Sequence, residues 1–122
     1  MGQKDQAYKD YQQALYFYRK KNNERRIAKT LRKLGQLSQS MNKLAEASQF
    51  YKEALALFEK IKDYKSQAKT LETLGQFLLT QNSTLEGCFY LQKARSLHQE
   101  IGLDKSQASI TDLGSCNEPF HK

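Results

Sequence analysis

Apolar residues recur along this chain at steps of three and four. Ile27, Leu31 and Leu34 open one run, which continues through Leu37, Ser38 and Met41. A second run holds Leu44, Ala47, Tyr51, Ala54, Phe58 and Ile61. A period near 3.6 sustained over about 16 residues gathers each set on one face of an amphipathic helix and does not fit the two-residue alternation of a strand. Forty residues further on, both runs return, first as Leu71, Leu74, Phe77 and Leu78, then as Leu91, Ala94, Leu97 and Ile101.

The repeat extends to whole words. Ala28-Lys29-Thr30-Leu31 reappears as Ala68-Lys69-Thr70-Leu71, Leu34-Gly35-Gln36 as Leu74-Gly75-Gln76, and Lys65-Ser66-Gln67-Ala68 as Lys105-Ser106-Gln107-Ala108. Self-similarity at one spacing marks a stack of identical supersecondary units. Polar breaks at Asn22-Asn23, Asn42-Lys43, Lys62-Asp63, Asn82-Ser83-Thr84 and Gly102-Leu103-Asp104 divide the helices. The pattern predicts helices over residues 3–21, 24–41, 44–61, 64–81, 84–101 and 104–114, with Thr84 and Asp104 as side-chain caps. Links this short imply antiparallel neighbours. Gly35 and Gly75 sit inside strong helical patterns, where each costs about 1 kcal/mol relative to alanine. Facing Ala47 and Gly87 on the next helix, they would let two backbones come close.

Composition adds a compartment and a charge gradient. Of 122 residues, 39% are hydrophobic and 27% charged, with one proline, a balance suited to a globular helical chain. No apolar run approaches the ~20 residues that span a bilayer. Cys88 and Cys116 lie far apart without clustered ligands. They read as unpaired thiols in a reducing, cytoplasmic setting, with no disulfide framework and no metal or cofactor site. The formal charge is +7, and residues 1–40 alone hold ten Lys/Arg against three Asp/Glu. One end of the molecule is therefore basic.

Catalysis finds no foothold in these residues. There is no Ser-His-Asp set, phosphate-cradling glycine loop or His-x-x-x-His pair, and His98 falls in the phase of the packing residue Phe58. Carboxylates such as Glu46, Glu53 and Glu86 fall on helix faces where they can pair with nearby lysines. The chain is expected not to be an enzyme.

Leu31-x-x-Leu34-Gly35 followed by Ala47-x-x-x-Tyr51-x-x-Ala54, and Leu71-x-x-Leu74-Gly75 followed by Gly87-x-x-x-Leu91-x-x-Ala94, resemble the tetratricopeptide repeat in its forty-residue form. The resemblance implies an all-α, right-handed solenoid of antiparallel helix pairs, about six helices in residues 1–114. A half repeat would occupy 3–21, full repeats 24–61 and 64–101, a partial repeat 104–114, and a flexible tail 115–122. It also implies a non-enzymatic adaptor that holds a peptide or protein segment on the concave face. That face would carry Lys29, Arg32, Lys33, Gln36 and Ser40, then Lys69, Glu72, Thr73, Gln76 and Thr80. Its mostly basic character suits an acidic partner. Lys33 and Thr73 stand where polarity adaptors and kinesin light chains carry asparagine, so neither subfamily is matched.

A basic patch, Arg19, Lys20, Lys21, Arg25 and Arg26, lies beside Tyr16, Phe17 and Tyr18. A solvated helix face is its first reading, an acidic protein partner its second, and nucleic acid or an anionic membrane its third. Two further functional readings stay open: a sensor segment of a larger signalling protein such as a nucleotide-switch ATPase, and a nucleic-acid-binding surface. The chain opens on a second-type helix and closes on a truncated first-type one. That pattern is expected of a segment of a larger protein, or of ends that pair with another copy.

Overall fold

The computed structural model describes residues 2–102 and Cys116. Five helices occupy them: α1 (Gly2–Lys20), α2 (Glu24–Ser40), α3 (Leu44–Lys60), α4 (Tyr64–Thr80) and α5 (Thr84–Glu100). Among the described residues there is no strand. The helix expected over 104–114 lies outside them, as does most of the expected tail.

Each helix stops by the same device. Asn22, Asn42, Lys62, Asn82 and Gly102 adopt left-handed backbone conformations, with φ of 55°, 61°, 60°, 62° and 75°. The chain then turns back on itself. Asn23 N–H donates to the Tyr18 carbonyl, Lys43 N–H to Ser38 and Ser83 N–H to Leu78, closing the orphan carbonyls of the last turn. Asparagine and glycine tolerate this conformation because their side chains are short or missing; lysine gains nothing from it. At the helix starts, the side chains of Asn23 and Asp63 accept from the N–H groups of Arg26 and Ser66, each at 3.2 Å. Thr84, expected as a cap, is instead the first residue of α5, with Ser83 in the cap position.

The helices form two compact units, Met1–Lys62 and Asp63–Lys122. In the first, α2 packs along α3 and α1 lies against α2. Its core holds Leu15, Ile27, Ala28, Leu31, Leu34, Ala54 and Phe58, with Tyr8, Tyr11, Tyr18, Phe50, Leu57 and Ile61 closing over it. Leu15 is buried and Tyr18 packs against that core. Phe17 and Tyr16 are 53% and 65% exposed.

In the second unit α4 packs along α5. Leu71, Leu74, Phe77, Leu78, Leu91 and Ala94 are buried there, and His98 is buried in the place its phase predicted. Thr70 is fully enclosed and satisfies its hydroxyl by donating to the Ser66 carbonyl at 2.8 Å.

The two in-phase glycines are contact points of different kinds. A methyl group on Gly75 would lie 2.9 Å from the Gly87 carbonyl oxygen and 2.7 Å from Leu91 Cγ. Here two helix backbones do approach each other. A methyl group on Gly35 would instead strike the ring of Tyr51, with Cδ1 and Cε1 at 2.8 Å. The atoms nearest to such a methyl all belong to Tyr51. A fully buried tyrosine lies against the glycine, fixed by its hydroxyl donating to Gln39 Oε1 at 2.8 Å.

The cysteines depart from expectation. Cys116 is buried and bonded to Cys88, with the Cα atoms 5.2 Å apart. The reading of two unpaired thiols is corrected, and the tail expected from residue 115 has a covalent anchor at its second position. With both thiols bonded, cysteine usage no longer points to a reducing compartment.

Candidate functional site

The stripe expected on α2 divides in two. Lys29, Lys33, Gln36 and Ser40 follow i, i+4, i+7, i+11 spacing, so they share one face of α2. Arg32 turns away to lie over the ring of Phe58, 5.6 Å from its centroid. Ser40 donates its hydroxyl to the Leu37 carbonyl at 2.7 Å, closing the helix end, and its own carbonyl accepts from Lys4 Nζ at 3.2 Å.

On α4 in the second unit, Thr73 and Thr80 are likewise turned back, to the carbonyls of Lys69 and Phe77 at 3.0 and 2.5 Å. Lys69 and Gln76 are exposed.

Lys29 and Lys33 meet partners that the repeat pattern did not single out. They join Arg26 and Thr30 in lining a groove whose opposite wall is α1, through Tyr11, Ala14 and Tyr18. Tyr11, Ala14 and Tyr18 are themselves spaced i, i+3, i+7, so one helix offers rings around a small central residue while the other offers cations. The space between them is about 170 Å³. Arg26 sits over the Tyr18 ring, 5.7 Å from its centroid, a cation–π contact that holds it to the groove wall. Hydrophobic phase could have put the two rings on one face of α1, though not opposite these cations, because Tyr11 and Tyr18 repeat at the spacing that Tyr51 and Phe58 use on α3.

The basic patch is dispersed. Lys20 lies over Tyr16 at 5.2 Å, Lys21 over Phe17 at 5.5 Å, and Arg26 over Tyr18. Arg19 lines a separate, larger depression with Glu24 and Glu53, and Arg25 is engaged by neighbouring groups. Of these five residues, Arg26 lines the groove.

Two tyrosines elsewhere are perturbed by their surroundings. Burial pushes the Tyr51 phenol up to about 12. Tyr8 is raised, first by burial and then by its hydrogen bond to Glu46, 2.9 Å away. Among the described residues, no three or more His, Cys, Asp or Glu gather as metal ligands, and no helix is long and apolar enough to cross a membrane.

Residues 1–60 match the tetratricopeptide repeat family, and the chain is a tetratricopeptide-repeat protein with an all-α fold. Repeats of this family are non-catalytic scaffolds for protein–protein interaction. The crystal structure of the apo form of RapI is similar, with a TM-score of 0.80 and 24% sequence identity over 88% of this chain. The similarity covers 39% of the RapI chain, so this chain spans about two fifths of that protein's length. Comparison with curated proteins returned no match.

Proposed function

We propose that this chain is a non-enzymatic interaction module that binds an acidic segment of a partner protein along α2. The observation that carries the reading is the groove between α1 and α2, where Arg26, Lys29 and Lys33 line one wall and no carboxylate lines either. A partner's acidic side chains gain charge-assisted hydrogen bonds there, and the two tyrosine rings supply contact area at small entropic cost. Gln36 extends the face towards the end of α2, while Lys69 and Gln76 offer similar chemistry on α4. Because the helices are already formed, docking costs little ordering of the receptor.

Fluorescence anisotropy with a labelled Glu/Leu-rich peptide tests this. Charge-assisted hydrogen bonds are worth about 1.5–3 kcal/mol when desolvated, and exposed pairs less than about 1. Lys29→Ala/Lys33→Ala should therefore weaken binding by about ten-fold, with the helical circular dichroism unchanged. Arg32→Ala should weaken it much less, because that side chain is turned to Phe58. Unchanged affinity in the double variant would remove the groove from the account.

A further inference from the structure

We infer that the α1/α2 groove is a subsite for a phosphorylated side chain of the bound segment, an assignment that rests on the interaction reading above. Three features of the site lead there. Its volume of about 170 Å³ is below the ~300–1,000 Å³ of pockets that enclose whole small molecules. With a water molecule occupying about 30 Å³ in the liquid, it has room for one protruding side-chain head. On the interaction reading, that head belongs to the bound segment lying outside.

Charge selects the head group. Arg26, Lys29 and Lys33 follow i, i+3, i+7 spacing on α2, and all three line the same small space. Lys29 and Lys33 have no ion-pair or hydrogen-bond partner among the described residues. Three acids of the same unit have partners of their own. Glu24 pairs with Lys60, Glu46 accepts from Tyr8, and Asp10 accepts from Gln6. A carboxylate carries one negative charge and leaves two of the three cations uncompensated. A phosphate monoester carries about −1.5 to −2 at pH 7 and presents three acceptor oxygens.

Geometry agrees with charge. Arg26 lies in the first turn of α2, capped by Asn23, where the helix end adds positive potential. Its guanidinium can present paired N–H groups to two phosphate oxygens while its face stays on Tyr18. Ala14, between Tyr11 and Tyr18, leaves the gap through which the head enters.

The test is an NMR titration of the full chain with three pentapeptide probes, acetylated and amidated, that carry phosphoserine, glutamate or serine between pairs of alanines. Phosphoserine should bind at least ten-fold more tightly than glutamate, with shifts centred on Tyr11, Tyr18, Arg26, Lys29 and Lys33. Its affinity should rise from pH 5 to pH 7 as the second phosphate proton leaves near pH 6. Lys29→Gln/Lys33→Gln, both exposed positions, should abolish the preference, while Lys65→Gln on α4 should leave it intact.

Equal binding of phosphoserine and glutamate at the groove would overturn the phosphate assignment and leave the acidic-segment reading standing. Shifts spread over lysines of every helix would overturn it too, reducing phosphate to a general counterion. No shift at the groove with any probe would remove both readings.

Discussion

Gly75→Ala separates packing from helix propensity, because the two act in opposite directions. In an isolated helix the change gains about 1 kcal/mol, as alanine is the better helix former. In this protein the added methyl would sit 2.7 Å from Leu91 Cγ and 2.9 Å from the Gly87 carbonyl oxygen. Carbon atoms in favourable contact stay about 3.5–4.0 Å apart, so the two helices must part by most of an ångström. The carbonyl belongs to a helix backbone and cannot swing aside as a side-chain end would. Overpacking of this kind costs about 1–3 kcal/mol, added to the loss of fit along α4 and α5. The net expectation is destabilisation by about 1–2 kcal/mol, read as a lower urea midpoint by far-ultraviolet circular dichroism at an unchanged slope. Gly2→Ala is the control, since a methyl there meets nothing within 4 Å. A Gly75→Ala protein more stable than the parent would refute the close approach of α4 to α5.

Three other outcomes are expected. Lys62 alone among the helix-end residues pays for a left-handed conformation without an asparagine or glycine side chain, so Lys62→Asn should stabilise the protein by up to about 1 kcal/mol, raising its thermal midpoint. Reduction of Cys88–Cys116, whose cysteines lie 28 residues apart, should lower stability by about 2–4 kcal/mol, measured as urea midpoints with and without dithiothreitol; thiols that alkylate fully in the unreduced, unfolded protein would contradict the bond. Tyr51 holds its proton to about pH 12 when folded and to about 10 when unfolded. The unfolded chain therefore binds fewer protons between those values, and stability falls as pH rises through that window. Tyr51→Phe should flatten that part of the pH profile relative to the parent, whatever other tyrosines and lysines contribute to both.

The site shows why a repeat can be visible while its ligand face is not. Forty-residue copying places Lys69, Thr73, Gln76 and Thr80 where Lys29, Lys33, Gln36 and Ser40 stand, and alignment makes them look equivalent. Yet a threonine hydroxyl within reach of the carbonyl one turn earlier is consumed by its own helix, as Thr73 and Thr80 are. Arg32 has long enough a stem to reach the Phe58 ring and does so. Of the three lysines that remain exposed, Lys29 and Lys33 face a helix that precedes the first full repeat.

What this chain determined by itself is local and periodic. Steps of three and four placed the apolar faces of α1 to α5, and asparagine or glycine at four of the five helix ends marked the turns, because both signals depend only on neighbours in sequence. Tertiary structure alone decided which small residues touch, so that Gly75 meets the Gly87 backbone while Gly35 meets the Tyr51 ring. It also decided that Cys116 reaches Cys88, and that Tyr11 and Tyr18 close a groove over Arg26, Lys29 and Lys33. Those contacts join residues on different helices or across chain reversals, and side-chain reach and helix separation, which no spacing encodes, set whether they form.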